Sequence, residues 1–212
     1  MSTVAQIAPP RTSLSTLPID QRRGVYAMWS VIATEAMLFI CMFGAYYYLG
    51  NNKDRWAQES PPQLRFPLFL LAILLSSSFV LHWGERQLQG PVESQRFGLA
   101  RIALWITVLL GMGFLALQGF EYYYHWSELA PYSDAYGSIF YTITSLHAAH
   151  VIVGLMMMAY IGVHPRYGTT IRTPHKPYST IALYWHFVDV VWVFIVIFLY
   201  VIPNFQRMHH VH

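Results

Sequence analysis

The apolar residues of this chain are gathered into five long blocks, separated by short polar stretches. The blocks run over about 25–49, 66–83, 99–124, 137–163 and 180–202. Each is long enough to cross a bilayer as a helix: even the shortest, about 18 residues at about 1.5 Å per residue, reaches about 27 Å. Hydrocarbon offers nothing to an unpaired strand, so the blocks are predicted as transmembrane helices. The breaks are explicit: Pro61-Pro62, Gly90-Pro91, Pro131, and the group Pro165, Pro174 and Pro177. No loop is long enough for a second domain, and no fixed-period repeat is visible. The expected fold is therefore all-α, a polytopic bundle at 25–203, with a flexible tail at 1–24 and a polar tail at 204–212.

Composition supports the pattern. Of 212 residues, 55% are hydrophobic and 11% charged, whereas soluble domains carry about 25% charged residues. The net charge of +3 does not point to nucleic acid, because the basic residues sit in short loops and form no stripe. The first block is too long for a signal-peptide core and reads as a signal anchor. With the N-terminus inside, nine Lys and Arg fall on inner segments (Arg11, Arg22, Arg23, Arg86, Arg96, Arg101, Arg166, Arg172, Lys176) and four on outer ones (Lys53, Arg55, Arg65, Arg207). The expectation is N-terminus inside and C-terminus outside. Tyr46, Tyr47, Tyr48 and Trp56, and again Tyr122, Tyr123, Tyr124 and Trp126, read as interfacial belts. Cys41 stands alone and reads as a small packing residue. Ser76-Ser77-Ser78, Gly111, Gly113 and Gly119 read as places of close helix approach.

Ionisable groups within lipid are few, and each is a functional candidate by default. Glu35 lies about ten residues into the first block, about 15 Å deep. It is either a proton-relay or lipid-contact group, or a neutral acid hydrogen-bonded between helices. His147 and His150 share a face of the fourth block, and His186 and Asp189 share one of the fifth. Glu35, these histidines and Asp189 lie at similar depth on three helices, so some of them are expected to form one interhelical polar cluster. Glu121 is expected to be wetted or paired locally. His147 and His150, on one face, cannot clamp a haem; His147 with His186 could in principle, at somewhat different depths, and no set of three ligands for copper or zinc is evident. His209, His210 and His212 read as part of the polar tail. No phosphate loop, nucleophile elbow or zinc-protease motif is present.

Three runs take the reading further. They are Trp29-Ser30-Val31-Ile32-Ala33-Thr34-Glu35-Ala36-Met37-Leu38-Phe39, Thr144-Ser145-Leu146-His147-Ala148-Ala149-His150-Val151-Ile152-Val153-Gly154, and Tyr184-Trp185-His186-Phe187-Val188-Asp189-Val190-Val191-Trp192-Val193-Phe194. Together with the stretch from Gln118 to Tyr122 they closely resemble subunit III of the haem–copper oxidases. The similarity covers nearly the whole folded part, and the Trp-His-Phe-Val-Asp run is its most specific portion. The resemblance implies an accessory, non-redox subunit of a complex that reduces dioxygen to water and pumps protons. It implies no cofactor on this chain, haem and copper in the catalytic subunit I, a subunit II that receives the electrons, bound phospholipid, and a role in sustaining proton uptake. Glu35 then matches the family's buried glutamate. His147, His150, Glu121, Trp185, His186, Asp189 and Trp192 match its polar and aromatic positions. The longest members of that family have seven helices, and the five blocks here are expected to correspond to all but the first two. The short form is familiar in bacteria and implies a bacterial plasma membrane. Ala148-Ala149 replaces the glycine often found between the two histidines. A quinol-fed oxidase, a subunit III-like partner of a nitric oxide reductase, a small proton-coupled transporter and a haem-b anchor are the competing readings. Membership of a respiratory supercomplex is left open.

Overall fold

The computed structural model describes residues 19–51, 64–89, 96–125, 135–164 and 175–205. Among the described residues there are five α-helices: α1 (Ile19–Asn51), α2 (Arg65–Arg86), α3 (Phe97–His125), α4 (Ala135–Val163) and α5 (His175–Ile195). A π-helical segment, Val196–Val201, continues α5. All five helices are long and apolar enough to cross a membrane. α1 begins at Ile19, and α5 continues through its π segment to residue 205. Residues 1–18 and 206–212, with Trp56, Trp126, the terminal histidines, Lys53, Arg55, Arg166 and Arg172, lie outside the described residues.

The prolines fall where helices tolerate them. Pro67 and Pro177 occupy the first turns of α2 and α5, where no intrahelical N–H is required. Pro203 has no N–H to offer the Leu199 carbonyl, and the wide π turn sits just before it.

Four helices close a ring: α2 packs on α3, α3 on α4, α4 on α5 and α5 on α2. α1 leans from outside on α4 and α5. The consequence is a gradient of burial. Half of the α5 span is buried within the chain, but only 11% of the α1 span. Large apolar side chains such as Met37, Ile40 and Phe79 are turned outward. Lipid chains are as apolar as leucine, so such a surface needs no cover, and close van der Waals fit holds the helices together.

Trp185 is where that fit is tightest. Its indole is fully buried and lies against two glycines. A Cβ on Gly111 of α3 would stand 2.9 Å from it, and one on Gly154 of α4 2.8 Å. Its Nε1–H donates to Ser77 Oγ of α2 at 3.0 Å. One side chain of α5 thus ties the other three helices of the ring. The small residues expected from the sequence divide accordingly. Gly111 marks a close approach, whereas Gly113 and Gly119 face open space. Gly154, Gly84 under Tyr178 and Ala103, and Gly162 against Leu104 and Trp105 supply the remaining approaches. Two further expectations are corrected. Cys41 is exposed on α1, whose few contacts leave most of its circumference outward. Tyr46 is buried in the core, whereas Tyr47 and Tyr48 are exposed.

Candidate functional site

The intramembrane polar residues separate into three places. The first joins α1 to α4. Glu35 Oε2 lies 3.0 Å from His150 Nε2, and His150 Nδ1 lies 2.7 Å from the Leu146 carbonyl oxygen. A carbonyl oxygen only accepts, so Nδ1 carries a hydrogen and donates it. Nε2 is then the ring atom turned to the Glu35 carboxyl, and the contact closes the pair across the two helices. Phe39 tilts against the His150 ring at 5.1 Å, and Tyr184 donates to the His150 carbonyl at 3.4 Å. Beside the pair is a lateral cavity of about 320 Å³ with an otherwise largely apolar lining that includes Met28, Val31, Val153 and Met157.

The second joins α2 to α5. Ser78 Oγ donates to Asp189 Oδ2 and lies 2.9 Å from His186 Nδ1. The serine oxygen thus bridges the carboxyl and the imidazole. Asp189 is buried, while the His186 side chain is 41% exposed. A polar ladder continues along α2: the His82 ring meets the His186 ring edge-on at 6.4 Å, and Arg86 Nε donates to His82 Nε2 at 3.1 Å. Glu85 Oε2 lies 3.6 Å from His82 Nδ1.

The third is inside the ring. His147 is fully buried between Phe114 and Trp192, with ring centroids 5.8 and 4.9 Å away. Neither of its ring nitrogens has a hydrogen-bond partner among the described residues. Further along, Gln118 and Glu121 are buried next to one another on α3, and Tyr122 donates to Thr144 Oγ1 at 2.7 Å.

The single cluster expected from matched depths is thus resolved into parts. Glu35 and His150 do pair across helices. Asp189 pairs instead with Ser78 and His186, and His147 faces the ring interior. His147 and His150 are three residues apart, about 300° around the helix, a 60° offset that suffices to send one inward and the other to α1. Glu121 is buried rather than wetted, with Gln118 as its local neighbour. The sequence reading missed Ser78 as a hydrogen-bonding group. Its signal was there: three consecutive serines in an otherwise apolar span. Among the described residues no three His, Cys, Asp or Glu gather as a metal site.

These paired positions coincide with the sequence runs quoted above, and comparison with known proteins decides what they belong to. The family profile described as cytochrome c oxidase subunit III matches residues 20–203. The chain belongs to the cytochrome c oxidase subunit III family. It is 32% identical over 182 residues to cytochrome c oxidase subunit 3 of Bacillus subtilis, covering 84% of this chain and 85% of that one. It is 32% identical over 174 residues to the Synechocystis protein of the same name, with 81% and 72% covered. The counterpart in Latimeria chalumnae is 34% identical over 193 residues, with 87% and 71% covered. A subunit III of this family is a multi-pass membrane protein and an accessory subunit of the terminal oxidase. Both interhelical pairs therefore belong to a subunit of the cytochrome c oxidase complex.

Proposed function

We infer that the chain serves as the non-redox subunit III of a proton-pumping oxidase, seated beside a haem- and copper-bearing subunit I and an electron-receiving subunit II. The family match over residues 20–203 carries this reading. Cytochrome c is the favoured donor, as in the names of the relatives. The membrane is a bacterial plasma membrane, with the N-terminus inside and the C-terminus outside, in line with the distribution of Lys and Arg. The folded domain is taken as 25–203, between polar tails.

Two finer roles follow from the first polar pair. The cavity between α1 and α4 suits a phospholipid acyl chain, since its lining is mostly apolar. Glu35 and His150, paired across two helices beside the cavity, suit proton exchange at that cleft. His147 and Asp189 complete the set of buried polar positions proposed to support proton uptake. Glu121, Trp185, His186 and Trp192 are proposed as structural positions of the family fold.

The test is to solubilise native membranes gently, capture this chain, and record the visible spectrum and oxygen consumption of what accompanies it. Haem absorbance and oxygen reduction that remain with the partner after this chain is stripped away are the expected result. A chain recovered alone and colourless overturns the assignment.

A further inference from the structure

We propose that the interior of the helix ring, at the level of His147, is a binding site for ordered water enclosed by α3, α4 and α5.

His147 has no exposed surface, and neither Nδ1 nor Nε2 has a hydrogen-bond partner among the described residues. Trp192 of α5 is fully buried beside it, and its Nε1 is in the same condition. A buried donor or acceptor without a partner is costly, and in folded proteins such groups are nearly always served by protein or by ordered water. One such atom would be an oddity. Here three nitrogens lie on two rings whose centroids are 4.9 Å apart. The rings meet 32° from parallel, so the indole covers a face of the imidazole and leaves its nitrogen-bearing edge to other groups.

The chemistry of the complement follows without assigning a tautomer. A neutral imidazole has one donor and one acceptor, and moving the hydrogen only exchanges the roles of the two nitrogens. A protonated ring would need two acceptors instead. The indole N–H only donates. The complement must therefore be able both to accept and to donate. It must also be small, since Phe114, His147 and Trp192 are all closed off from the surface. Water meets both conditions. The two imidazole nitrogens point apart, so more than one molecule is needed. Other polar groups stand within a turn. Thr144 precedes His147 by one turn on α4, and Gln118 follows Phe114 by one turn on α3; both are buried. Tyr122 joins the two helices there through its hydrogen bond to Thr144. The polar groups thus come from three helices, whereas cavities that stay dry are apolar. Water at this ring also supplies what the proton-uptake role proposed for His147 requires, a group able to pass the ring a proton.

Solid-state NMR of the full-length wild-type chain in lipid bilayers, isotope-labelled in histidine, tryptophan and leucine, tests the site. Polarisation transfer from water to the ring of His147 and to the Trp192 indole is compared with transfer to Leu70, which is fully buried in the core, and to His82, whose side chain is 46% exposed. Transfer to His147 and Trp192 at least fivefold faster than to Leu70, approaching that to His82, is expected. Transfer as slow as to Leu70 overturns the site. Infrared spectra give a second reading: bands that shift on exchange into oxygen-18 water belong to water itself. At least one such band from weakly bonded water is expected to vanish in His147→Phe and to persist in His150→Phe. Identical water bands in wild type and a folded His147→Phe chain overturn the site as well. Neither measurement needs oxidase activity, so both are independent of the subunit assignment.

Discussion

The α1–α4 and α2–α5 contacts are built from the same materials to opposite ends. Each sets a histidine beside a carboxylate within the membrane: the first across two helices, the second on α5 alone, with Ser78 of α2 joined to both. In the first, the carboxylate is the outer partner: the Glu35 side chain is 34% exposed and His150 is the more buried. In the second, the carboxylate is inside and the histidine outside. The first pair sits on the loosely attached α1 and borders a cavity. The second adjoins Trp185 and the serine run that lock α2 to α5. The carboxylate behind a serine and a histidine braces α2 against α5 as a strut. The same two residue types thus occupy one place beside a cavity and one enclosed place, and the difference lies in which partner the backbone turns inward.

The largest effect is expected where the strut is anchored. Trp185→Ala removes an indole that touches α3 and α4 and donates to α2. A loss of about 3–5 kcal/mol is expected, the range for a fully buried large aromatic. Unfolding of the purified chain in mixed micelles measures it. A loss below about 1 kcal/mol would mean that the notch formed by Gly111 and Gly154 collapses without cost, and the α2–α5 contact would no longer count as the rigid one.

Next comes the strut itself. Asp189→Ala leaves the Ser78 hydroxyl without its acceptor in a buried place. A loss of about 1–3 kcal/mol is expected. Asp189→Asn, which keeps an acceptor oxygen, should recover part of it. The same unfolding assay reads both. Equal losses for the two variants would show that the negative charge, not the hydrogen bond, matters there.

How much of this was legible beforehand depends on the length scale. Five helices and their rough limits follow from block hydrophobicity, which needs no tertiary information. Positions such as Glu35 and Asp189 stood out because charges in lipid are rare. Their partners did not. Matched depth says only that groups are level, and it cannot say around which side of a helix they lie relative to a neighbour. That depends on helix rotation, set here by Trp185 against Gly111 and Gly154, a steric fit invisible in hydropathy. Ser78 was overlooked for a related reason: a serine in a membrane span reads as small before it reads as polar. The π segment before Pro203 was equally hidden, although the proline itself was in plain sight.

A smaller effect is expected across the pair beside the cavity. In a double-mutant cycle of Glu35→Gln and His150→Ala, the coupling energy should be near the average for hydrogen bonds between membrane helices, about 0.6 kcal/mol. Unfolding in micelles, referred to the wild-type chain, gives the four corners of the cycle. A coupling of 2 kcal/mol or more, far above about 0.6 kcal/mol, would make this pair a strut as well and remove the distinction.

The smallest expected effect is the most discriminating. Glu35 and Asp189 lie at similar depth, yet they are held by different partners on different helices: His150 for one, Ser78 and His186 for the other. Neither shares a hydrogen-bond partner with the other, so the free energies of Glu35→Gln and Asp189→Asn should add to within about 0.5 kcal/mol. The cycle must be run on the intact chain, since α1 and α5 touch elsewhere through Phe43 and Phe198, whose rings stack at 5.2 Å. Those contacts are unchanged in all four corners and drop out of the coupling term. A coupling above about 1 kcal/mol would therefore come from the carboxylates themselves. It would mean that the cleft and the strut communicate through the membrane interior, and that a proton taken up at Glu35 is felt at Asp189.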